Sequence, residues 1–200
     1  MYPQTDTGLS TVRVSCGGRT ADFPKGISVL ETLKALAPED ASALLCAMRG
    51  GVCMELGTPV EEDMELKGLT YRDEEGRRVY ERSLRFLLLL SMNRLYPEKR
   101  VRILNSVGYG VYLRVQGEEM DRAVVRALEA EMRRLAQADL PFQKEIWTRE
   151  QAIEYFTAHG HPDKAEILAY RRKDTIPMYR IGDTREYFYG VMTPSTGYLK

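Results

Sequence analysis

The side chains that could activate water or bind a metal ion are few in this chain. The two histidines, His159 and His161, flank a single glycine, and Asp163 is the only other potential ligand close to them in sequence. Because a protein metal site takes three or four ligands, this spacing favours a solvated turn between helices. Ser195 and Thr196 lie in a predicted loop without a histidine nearby in sequence. These residues by themselves indicate neither a catalytic group nor a metal site.

The cysteines and glycines argue against disulfide and phosphoryl-transfer chemistry. Cys16, Cys46 and Cys53 lack a Cys-x-x-Cys spacing and fall in strand-like segments, which favours packed free thiols in a reducing cytoplasm. A cysteine–histidine pair formed between distant segments stays open. The chain has no phosphate-binding loop of the G-x-x-x-x-G-K-[ST] kind, and Gly108-Tyr109-Gly110 is too short to replace one. We therefore expect no nucleotide hydrolysis and no cofactor within this chain.

Basic and aromatic side chains form the ligand surface that the spacing suggests most directly. Arg122, Arg126 and Arg133 lie near one face of a predicted helix, because their spacings are close to whole helical turns. A second group can stack on bases and contact phosphates. Its members are Arg171, Arg172, Lys173, Tyr179, Arg180, Arg185, Tyr187, Phe188 and Tyr189. The alternative is that these arginines pair with neighbouring acids and that the aromatic rings belong to the core.

The charge balance and the hydrophobicity are those of a soluble globular protein. Basic and acidic residues each number 29, so the formal net charge is zero, which excludes a uniformly basic nucleic-acid coat protein. The longest apolar run, Phe86–Leu90, is far shorter than the roughly 20 residues of a membrane-spanning helix. The N-terminus lacks the basic-then-apolar order of a secretory signal. We expect a cytoplasmic protein with no membrane partner.

The hydrophobic periodicity of the first part predicts a small β-rich sheet with one helix across it. Ser28 and Glu31 fit a capping box at the start of that helix, and Gly17-Gly18 and Gly50-Gly51 fit hairpin turns. The other predicted elements are strands over 11–15, 20–23, 45–49, 52–56 and 64–69 and a short helix over 41–45. Residues 73–78 contain no apolar side chain and are the best candidate for a domain boundary.

The second part also alternates between predicted helices and strands. Thr148 and Gln151 fit another capping box, and Pro162 stands at a first helical position, where proline is well tolerated. The predicted helices lie over 79–95, 118–138 and 149–159 and after Pro162, and the strands over 101–104, 110–115, 141–147 and 176–181. The pattern predicts the α+β class with two small domains, residues 11–72 and 79–200, after a flexible N-terminus over residues 1–10.

The order of several short motifs resembles two known domains. Residues 12–71 resemble a TGS domain, a small β-grasp-like module, through Phe23-Pro24-Lys25-Gly26 and the segment 58–63. Residues 80–200 resemble the second N-terminal domain of threonyl-tRNA synthetase, the editing domain shared with alanyl-tRNA synthetase. The motifs that carry this second resemblance are Arg94-Leu95-Tyr96-Pro97, Asp139-Leu140-Pro141-Phe142 and Pro194-Ser195-Thr196-Gly197.

The resemblance implies where hydrolytic residues should lie. Active editing domains of this family carry His-x-x-x-His on the first helix and Cys-x-x-x-His before the Pro-Ser-Thr-Gly loop. The corresponding positions here hold Arg82, Phe86, Phe188 and Met192. None of these side chains can act as a neutral imidazole or thiolate ligand or shuttle a proton near neutral pH. The resemblance therefore implies that editing hydrolysis is lost and that the old cleft is partly filled.

The same pair of domains also precedes a P-loop kinase domain in bacterial uridine kinase-like nucleoside kinases, in which the editing histidines are commonly degenerate. Residues 82–88, 105–110 and 194–200 are more similar to that family than to the synthetase. This resemblance implies a fragment or a stand-alone relative of such a kinase. It implies ATP and Mg²⁺ as cofactors only if a kinase domain follows Lys200.

We expect a non-catalytic module that binds a nucleotide, a nucleoside or a tRNA-like RNA and that regulates an attached kinase. Arginines around the former editing cleft could hold a phosphate, and aromatic rings could stack on a base. The candidate ligand-binding residues are Arg82, Arg85, Asn105, Tyr109, Tyr112, Arg180, Tyr187, Phe188, Met192 and Ser195. Two alternatives stay open. One is a trans-acting hydrolase of mischarged tRNA that uses His159, His161 or a carboxylate, and the other is a protein–protein adaptor.

Overall fold

A computed structural model of the protein describes residues 10–107, 110–116 and 120–200. The chain divides into two compact units. Unit 1 contains the chain up to Ser83 with Gly190–Pro194 and Leu199, and unit 2 contains Leu84–Tyr189, Ser195–Tyr198 and Lys200. Both units combine helices with short sheets, which confirms the predicted α+β class. The assignment of a TGS domain to residues 11–72 and of an editing-like domain to 79–200 stays a prediction. The predicted flexible N-terminus lies outside the described residues, except for Ser10.

Unit 1 consists of short strands and helix α1 (Val29–Leu36). Its strands are β1 (Thr11–Cys16), β2 (Arg19–Pro24), β3 (Cys46–Arg49), β4 (Val52–Met54), β5 (Met64–Glu65) and β6 (Lys67–Leu69). The described strands form sheets in the orders β2-β1-β5 and β4-β3-β6. Strands β1 and β5 are parallel, and the other pairs in these sheets are antiparallel.

Local sequence signals explain where the first elements of unit 1 begin and end. Gly17 and Gly18 have φ of +58° and +81°, a region that glycine adopts without steric cost, so β1 and β2 form the predicted hairpin. Helix α1 begins at the predicted capping box, in which the Ser28 hydroxyl accepts from the Glu31 amide and the Glu31 carboxylate accepts from the Ser28 amide. The apolar stripe of α1, which includes Leu33, is buried in the core of unit 1.

Several predicted elements of this part differ from the structure, among them the strand over 52–56, which ends at Met54. The predicted helix over 41–45 is a turn over 41–43, because the Leu45 amide donates to the Leu69 carbonyl and draws the chain into the sheet. The predicted strand over 64–69 is divided into β5 and β6, which pair with different partners, β1 and β3. Helix α2 (Glu74–Leu95) begins inside the segment that had been the boundary candidate. Its polar first turn is stabilised by Arg78, which forms ion pairs with Glu74 and Glu75.

Unit 2 contains the second part of α2, three further α-helices and five strands within its described residues. The helices are α3 (Arg122–Gln137), α4 (Arg149–Ala158) and α5 (Pro162–Ala169), and the strands are β7 (Val101–Val107), β8 (Gly110–Val115), β9 (Gln143–Thr148), β10 (Thr175–Ile181) and β11 (Thr184–Tyr187). Strands β7 and β8 form one hairpin, and β11-β10-β9 form an antiparallel sheet. Helix α4 begins at the predicted Thr148–Gln151 capping box, and Pro162 opens α5 as predicted.

The core of unit 2 has two clusters that fix the elements around its candidate site. One cluster contains Phe156, Leu168 and Met178, which join α4 and α5 to the β9–β11 sheet. The other contains Met92 and Leu128 and joins α2 and α3 to strand β8. Apolar packing therefore joins these helices and strands, while polar side chains near their ends line a cavity.

Candidate functional site

A cavity of about 530 Å³ lies within unit 2. This volume lies in the range of roughly 300–1,000 Å³ that is typical of small-molecule sites. Its walls come from the chain around β7 (Arg100–Leu104), from α5 with the residue before it, and from the end of β11 with the residues that follow it. The lining combines aromatic and aliphatic side chains with both signs of charge, which suits a ligand that has a flat apolar part and an ionic part.

An ion pair occupies the wall of this cavity. The Lys164 ammonium donates to the Glu186 carboxylate, and Glu186 has only 7% of its surface exposed. Burial raises the pKa of Glu186, and the charge of Lys164 acts in the opposite direction. Lys164 also lies 5.2 Å from the ring centre of Phe156. The Tyr187 amide donates to the other oxygen of this carboxylate at 3.1 Å. Because a carboxylate oxygen can accept more than one hydrogen bond, a ligand hydroxyl or amine could also donate to it.

A histidine and a second ion pair lie on the same cavity. His161 immediately precedes α5, and burial lowers its pKa, with the charge of Lys164 acting in the same direction. The imidazole is therefore neutral near pH 7, and neutral imidazole can accept a proton. Arg102 and Asp163 form an ion pair of 3.1 Å in which the arginine is largely exposed. The cavity thus carries a cation at its rim that could meet an anionic group of a ligand.

Aromatic side chains close another side of the cavity. The Tyr187 ring lies 5.6 Å from Phe156 and 5.8 Å from Tyr189, both in edge-to-face geometry. The Arg171 guanidinium lies 3.6 Å from the ring centre of Tyr189. Exposed aromatic rings beside cations are the combination that stacks on nucleobases and contacts phosphates.

Within unit 2, the candidate residues that the structure describes do not form a single cluster. Tyr187 and Phe188 line the cavity, whereas Arg180 lies on β10, where it pairs with Glu145 at 2.9 Å. Tyr112 is 58% exposed on the β7–β8 hairpin. In unit 2, Ser195 is buried and its hydroxyl donates to the Asp139 carboxylate, a contact that holds the loop in place.

The remaining candidates lie in unit 1 or at the start of unit 2. In unit 1, the Arg82 guanidinium donates to the Val191 carbonyl at 2.6 Å, and the buried Met192 sulfur accepts from the Ser83 hydroxyl at 3.5 Å. Arg85 is half-buried on α2 in unit 2. The side chain of Asn105 and all of Tyr109 lie outside the described residues.

The four positions that the sequence resemblance assigns to hydrolytic residues hold packed or hydrogen-bonded side chains here. Phe86 is 0% exposed, and its ring lies 5.7 Å from both Phe142 and Phe188 within unit 2. In unit 1, Met192 is buried and Arg82 is engaged with a main-chain carbonyl. Apolar packing at Phe86 and Phe188 leaves no imidazole or thiol at these two positions.

Two of the five cations of the second predicted basic group are neutralised by one glutamate. Arg180 and Arg185 both donate to Glu145, at 2.9 and 3.2 Å, and Arg185 also lies over the Trp147 ring. Tyr179 is 1% exposed and belongs to the core. Arg133 of the first group pairs with Glu129 at 2.7 Å on α3. The pairing alternative therefore describes Arg180, Arg185 and Arg133, while Arg171 keeps its place beside Tyr189.

Sequence reasoning missed several side chains that line the cavity, among them Arg100, Arg102, Lys164, Ile167 and Glu186. The local signal was the group His159, His161 and Asp163 around the start of α5. Their spacing predicted a solvated turn and not part of a cavity. Glu186 gave no signal, because an acid within a short strand is ordinarily exposed.

Neither a metal cluster nor a membrane span is found in the part of the chain that the structure describes. No group of three or more histidine, cysteine, aspartate or glutamate side chains is placed to hold a metal ion within residues 10–107, 110–116 and 120–200. Over the same residues, none of the helices has the length and apolar character needed to cross a membrane.

Comparison with known proteins finds similar threonine–tRNA ligases, although no family model matches the chain. A threonine–tRNA ligase of Carboxydothermus hydrogenoformans is 32% identical over 185 residues, which cover 90% of this chain and 28% of the ligase. Those of Desulforamulus reducens and Methylococcus capsulatus are 31% and 32% identical and cover 92% and 91% of this chain. The chain spans less than a third of the length of each of these ligases, 28–29%.

Proposed function

Since the chain is homologous to threonyl-tRNA synthetases over about nine-tenths of its length, we propose that it is a tRNA-related module that binds a nucleotide, a nucleoside or the end of an RNA without hydrolysing it. The observation that carries this proposal is the contrast between two parts of unit 2. Phe86, at a position that the resemblance assigns to a hydrolytic histidine, is fully buried between aromatic rings, whereas an ionic and aromatic cavity with Phe188 in its lining remains open.

The cavity offers each kind of contact that a nucleotide needs. Tyr187 and Tyr189 offer aromatic surface to a base. Arg102 at the rim is largely exposed and could bind a phosphate, and the buried Glu186 could accept from a ribose hydroxyl or an exocyclic amine.

Binding measurements test the proposal directly. Fluorescence anisotropy of labelled tRNA, with competition by unlabelled nucleosides and nucleotides, would be measured at several salt concentrations. Because phosphate contacts release counterions, we expect affinity to fall as salt rises. Arg102→Ala should weaken binding by roughly tenfold, the cost of one charge-assisted hydrogen bond. Arg134→Ala is the matched control, because Arg134 is similarly exposed and ion-paired but lies on α3 outside the cavity lining. An absence of salt-dependent binding of all these ligands would remove the proposal.

A trans-acting hydrolase of mischarged tRNA is the second candidate, and one observation favours it. His161 lines the cavity and its lowered pKa keeps it unprotonated near neutral pH, as a general base requires. His159 is the internal control, because its imidazole instead stacks on Tyr155 and bonds to the Tyr155 carbonyl. A deacylation assay should lose activity in His161→Ala and keep it in His159→Ala. No deacylation by the wild-type chain, with or without zinc, would eliminate this candidate.

Attachment to a uridine kinase-like domain rests on the sequence resemblance alone, since the relatives described above are threonine–tRNA ligases. If it holds, the cavity would sense a nucleotide and bias the kinase, and ATP and Mg²⁺ would bind to that further domain. The downstream reading frame tests this: a glycine-rich lysine loop would support it, and an intergenic region would refute it. A cytoplasmic location likewise stays part of the proposal.

A further inference from the structure

Two cysteines of unit 1 lie together on one hairpin. Cys46 is the first residue of β3 and Cys53 is the central residue of β4, which the Gly50-Gly51 turn joins to β3. Met48 is the direct partner of Cys53, so Cys46 lies diagonally across the hairpin from Cys53 on the same face. Cys46 belongs to an apolar cluster with Leu69, Val79 and Val191, and Cys53 packs against that cluster. The two thiols therefore share one apolar environment.

The two thiols differ in accessibility. Cys46 is 0% exposed, whereas Cys53 is partly exposed. Strand β4 has three residues and lies at the edge of the sheet β4-β3-β6, so a single neighbouring strand holds it. A solute can reach Cys53 first, and β4 can shift towards Cys46 at the cost of few main-chain hydrogen bonds.

The hydrogen bond between the two thiols favours a thiolate at Cys53. The Cys46 thiol donates a hydrogen bond to the Cys53 sulfur, which lowers the pKa of Cys53 and raises that of Cys46. The positive charge of Arg82 acts in the same direction on Cys53, while burial and Glu75 oppose it. A lowered pKa with partial exposure marks a reactive cysteine, and a buried thiol in contact is suited to resolve its oxidised form.

We propose that Cys53 and Cys46 form a peroxide-sensitive modification site that closes into a reversible disulfide. In the first step the Cys53 thiolate attacks one oxygen of hydrogen peroxide. A sulfur–oxygen bond forms, the oxygen–oxygen bond breaks, and the departing hydroxide takes a proton to become water. In the second step the Cys46 sulfur attacks the Cys53 sulfenic acid. The sulfur–sulfur bond forms, the sulfur–oxygen bond breaks, and the hydroxide leaves with the Cys46 proton as water. Peroxide is reduced by two electrons, and the two thiols supply them.

Cys16 provides a matched comparison within the same unit. It is buried at the end of β1, in the sheet β2-β1-β5, which contains neither of the other two cysteines. Cys16 is therefore expected to stay reduced under conditions that oxidise the pair.

Mass spectrometry of the full chain tests the site. Stoichiometric hydrogen peroxide should remove the mass of two hydrogen atoms and leave one titratable thiol, and dithiothreitol should restore all three. Trypsin cleaves after Arg49, which separates Cys46 from Cys53, so the disulfide should appear as two linked peptides. Cys16→Ser should behave as the wild type, Cys53→Ser should keep its thiols, and Cys46→Ser should accumulate a Cys53 sulfenic acid that dimedone traps.

Alkylation of the untreated wild type keeps the test independent of folding in the variants. Native protein exposed briefly to iodoacetamide should be labelled at Cys53 about tenfold faster than at Cys46 or Cys16, because thiolate and exposure set the rate. Three free thiols after peroxide treatment, a linked peptide that contains Cys16, or preferential labelling of Cys46 or Cys16 would overturn the proposal.

Discussion

Lys164 and Glu186 form an ion pair on the cavity wall of unit 2, and it joins helix α5 to strand β11. The carboxylate is almost fully buried, so its ionisation depends on the Lys164 ammonium and on the hydrogen bond from the Tyr187 amide. Such a pair costs desolvation energy that its own attraction only partly offsets. The same pair fixes the two elements that carry His161 and Tyr187 into the cavity, which connects the stability of unit 2 to its candidate site.

The first prediction concerns the pH dependence of that pair. Burial raises the pKa of Glu186 above its ordinary 4.5, so the folded protein keeps a proton that the unfolded chain has lost. The free energy of unfolding should therefore fall as pH rises above 4.5 towards the folded-state pKa. The side chain of the Glu186→Gln variant cannot ionise at this position, so its free energy of unfolding should fall less over the same pH range. Urea denaturation at several pH values, followed by the fluorescence of Trp147, measures the difference.

Glu129→Gln is the matched control for this experiment, since Glu129 is exposed and pairs with Arg133 on the surface of α3. Its pH profile should overlay that of the wild type. A Glu186→Gln profile that runs parallel to the wild type above pH 4.5 would contradict a raised Glu186 pKa.

The second prediction concerns the ring of Phe86, at a position that the sequence resemblance assigns to a hydrolytic residue. Phe86 is fully buried against Phe142 and Phe188, so Phe86→Ala should lower the free energy of unfolding by about 3–5 kcal/mol. Phe188 is only half-buried, and Phe188→Ala should cost less than half of that. Urea denaturation followed by Trp147 fluorescence compares the two variants. Equal costs would show that Phe86 is not the central residue of this packing.

The third prediction concerns the loop that contains Ser195. Asp139 has a φ of +49° and accepts hydrogen bonds from the Ser195 hydroxyl and from the Gly197 amide at 3.2 Å. Asp139→Ala loses both bonds and keeps an unfavourable backbone, so it should cost about 2–3 kcal/mol. Asp139→Gly relieves the backbone and should cost about 1 kcal/mol less. Chemical denaturation of both variants separates the contribution of the hydrogen bonds from that of the backbone. A lower free energy of unfolding for Asp139→Gly than for Asp139→Ala would contradict the backbone argument.

The fourth prediction concerns the start of α2 in unit 1. A Cβ atom added to Gly76 would lie 1.9 Å from the Thr70 carbonyl oxygen, a main-chain atom that cannot move aside. Gly76→Ala should therefore destabilise the protein by about 2–4 kcal/mol, in the range of a core clash. Gly57→Ala is the control, since a Cβ there meets open space, and it should change stability by less than about 1 kcal/mol. Urea denaturation followed by far-ultraviolet circular dichroism measures both, and equal effects would show that the Thr70 contact is not limiting.

Elements set by neighbouring residues could be predicted from the sequence because their causes are local. The Ser28–Glu31 and Thr148–Gln151 capping boxes and the hairpin at Gly17-Gly18 are present as predicted. The α2 start was placed too late, because a polar first turn resembles a linker until its Arg78 ion pairs are seen. The sequence also did not predict that the strand over 64–69 is divided, since its two halves pair with strands that are distant in sequence.

The candidate site was harder to predict, because its residues come together only through contacts between segments that are far apart in sequence. Of the ten predicted residues, Tyr187 and Phe188 line the cavity that the described residues form, while Arg180 and Ser195 are engaged by Glu145 and Asp139. Lys164 and Glu186 are 22 residues apart, and nothing in their local sequence indicates that they meet.

The sequence by itself therefore determined the α+β class, the main turns and caps, and the resemblance to the synthetase family, because these follow from residue type and short spacing. Only the tertiary structure decided which arginines are neutralised, that Phe86 and Phe188 pack together, that Cys46 meets Cys53, and where an open cavity remains. Those outcomes depend on the distances between side chains far apart in the chain, and packing fixes such distances only when the whole of each unit has folded.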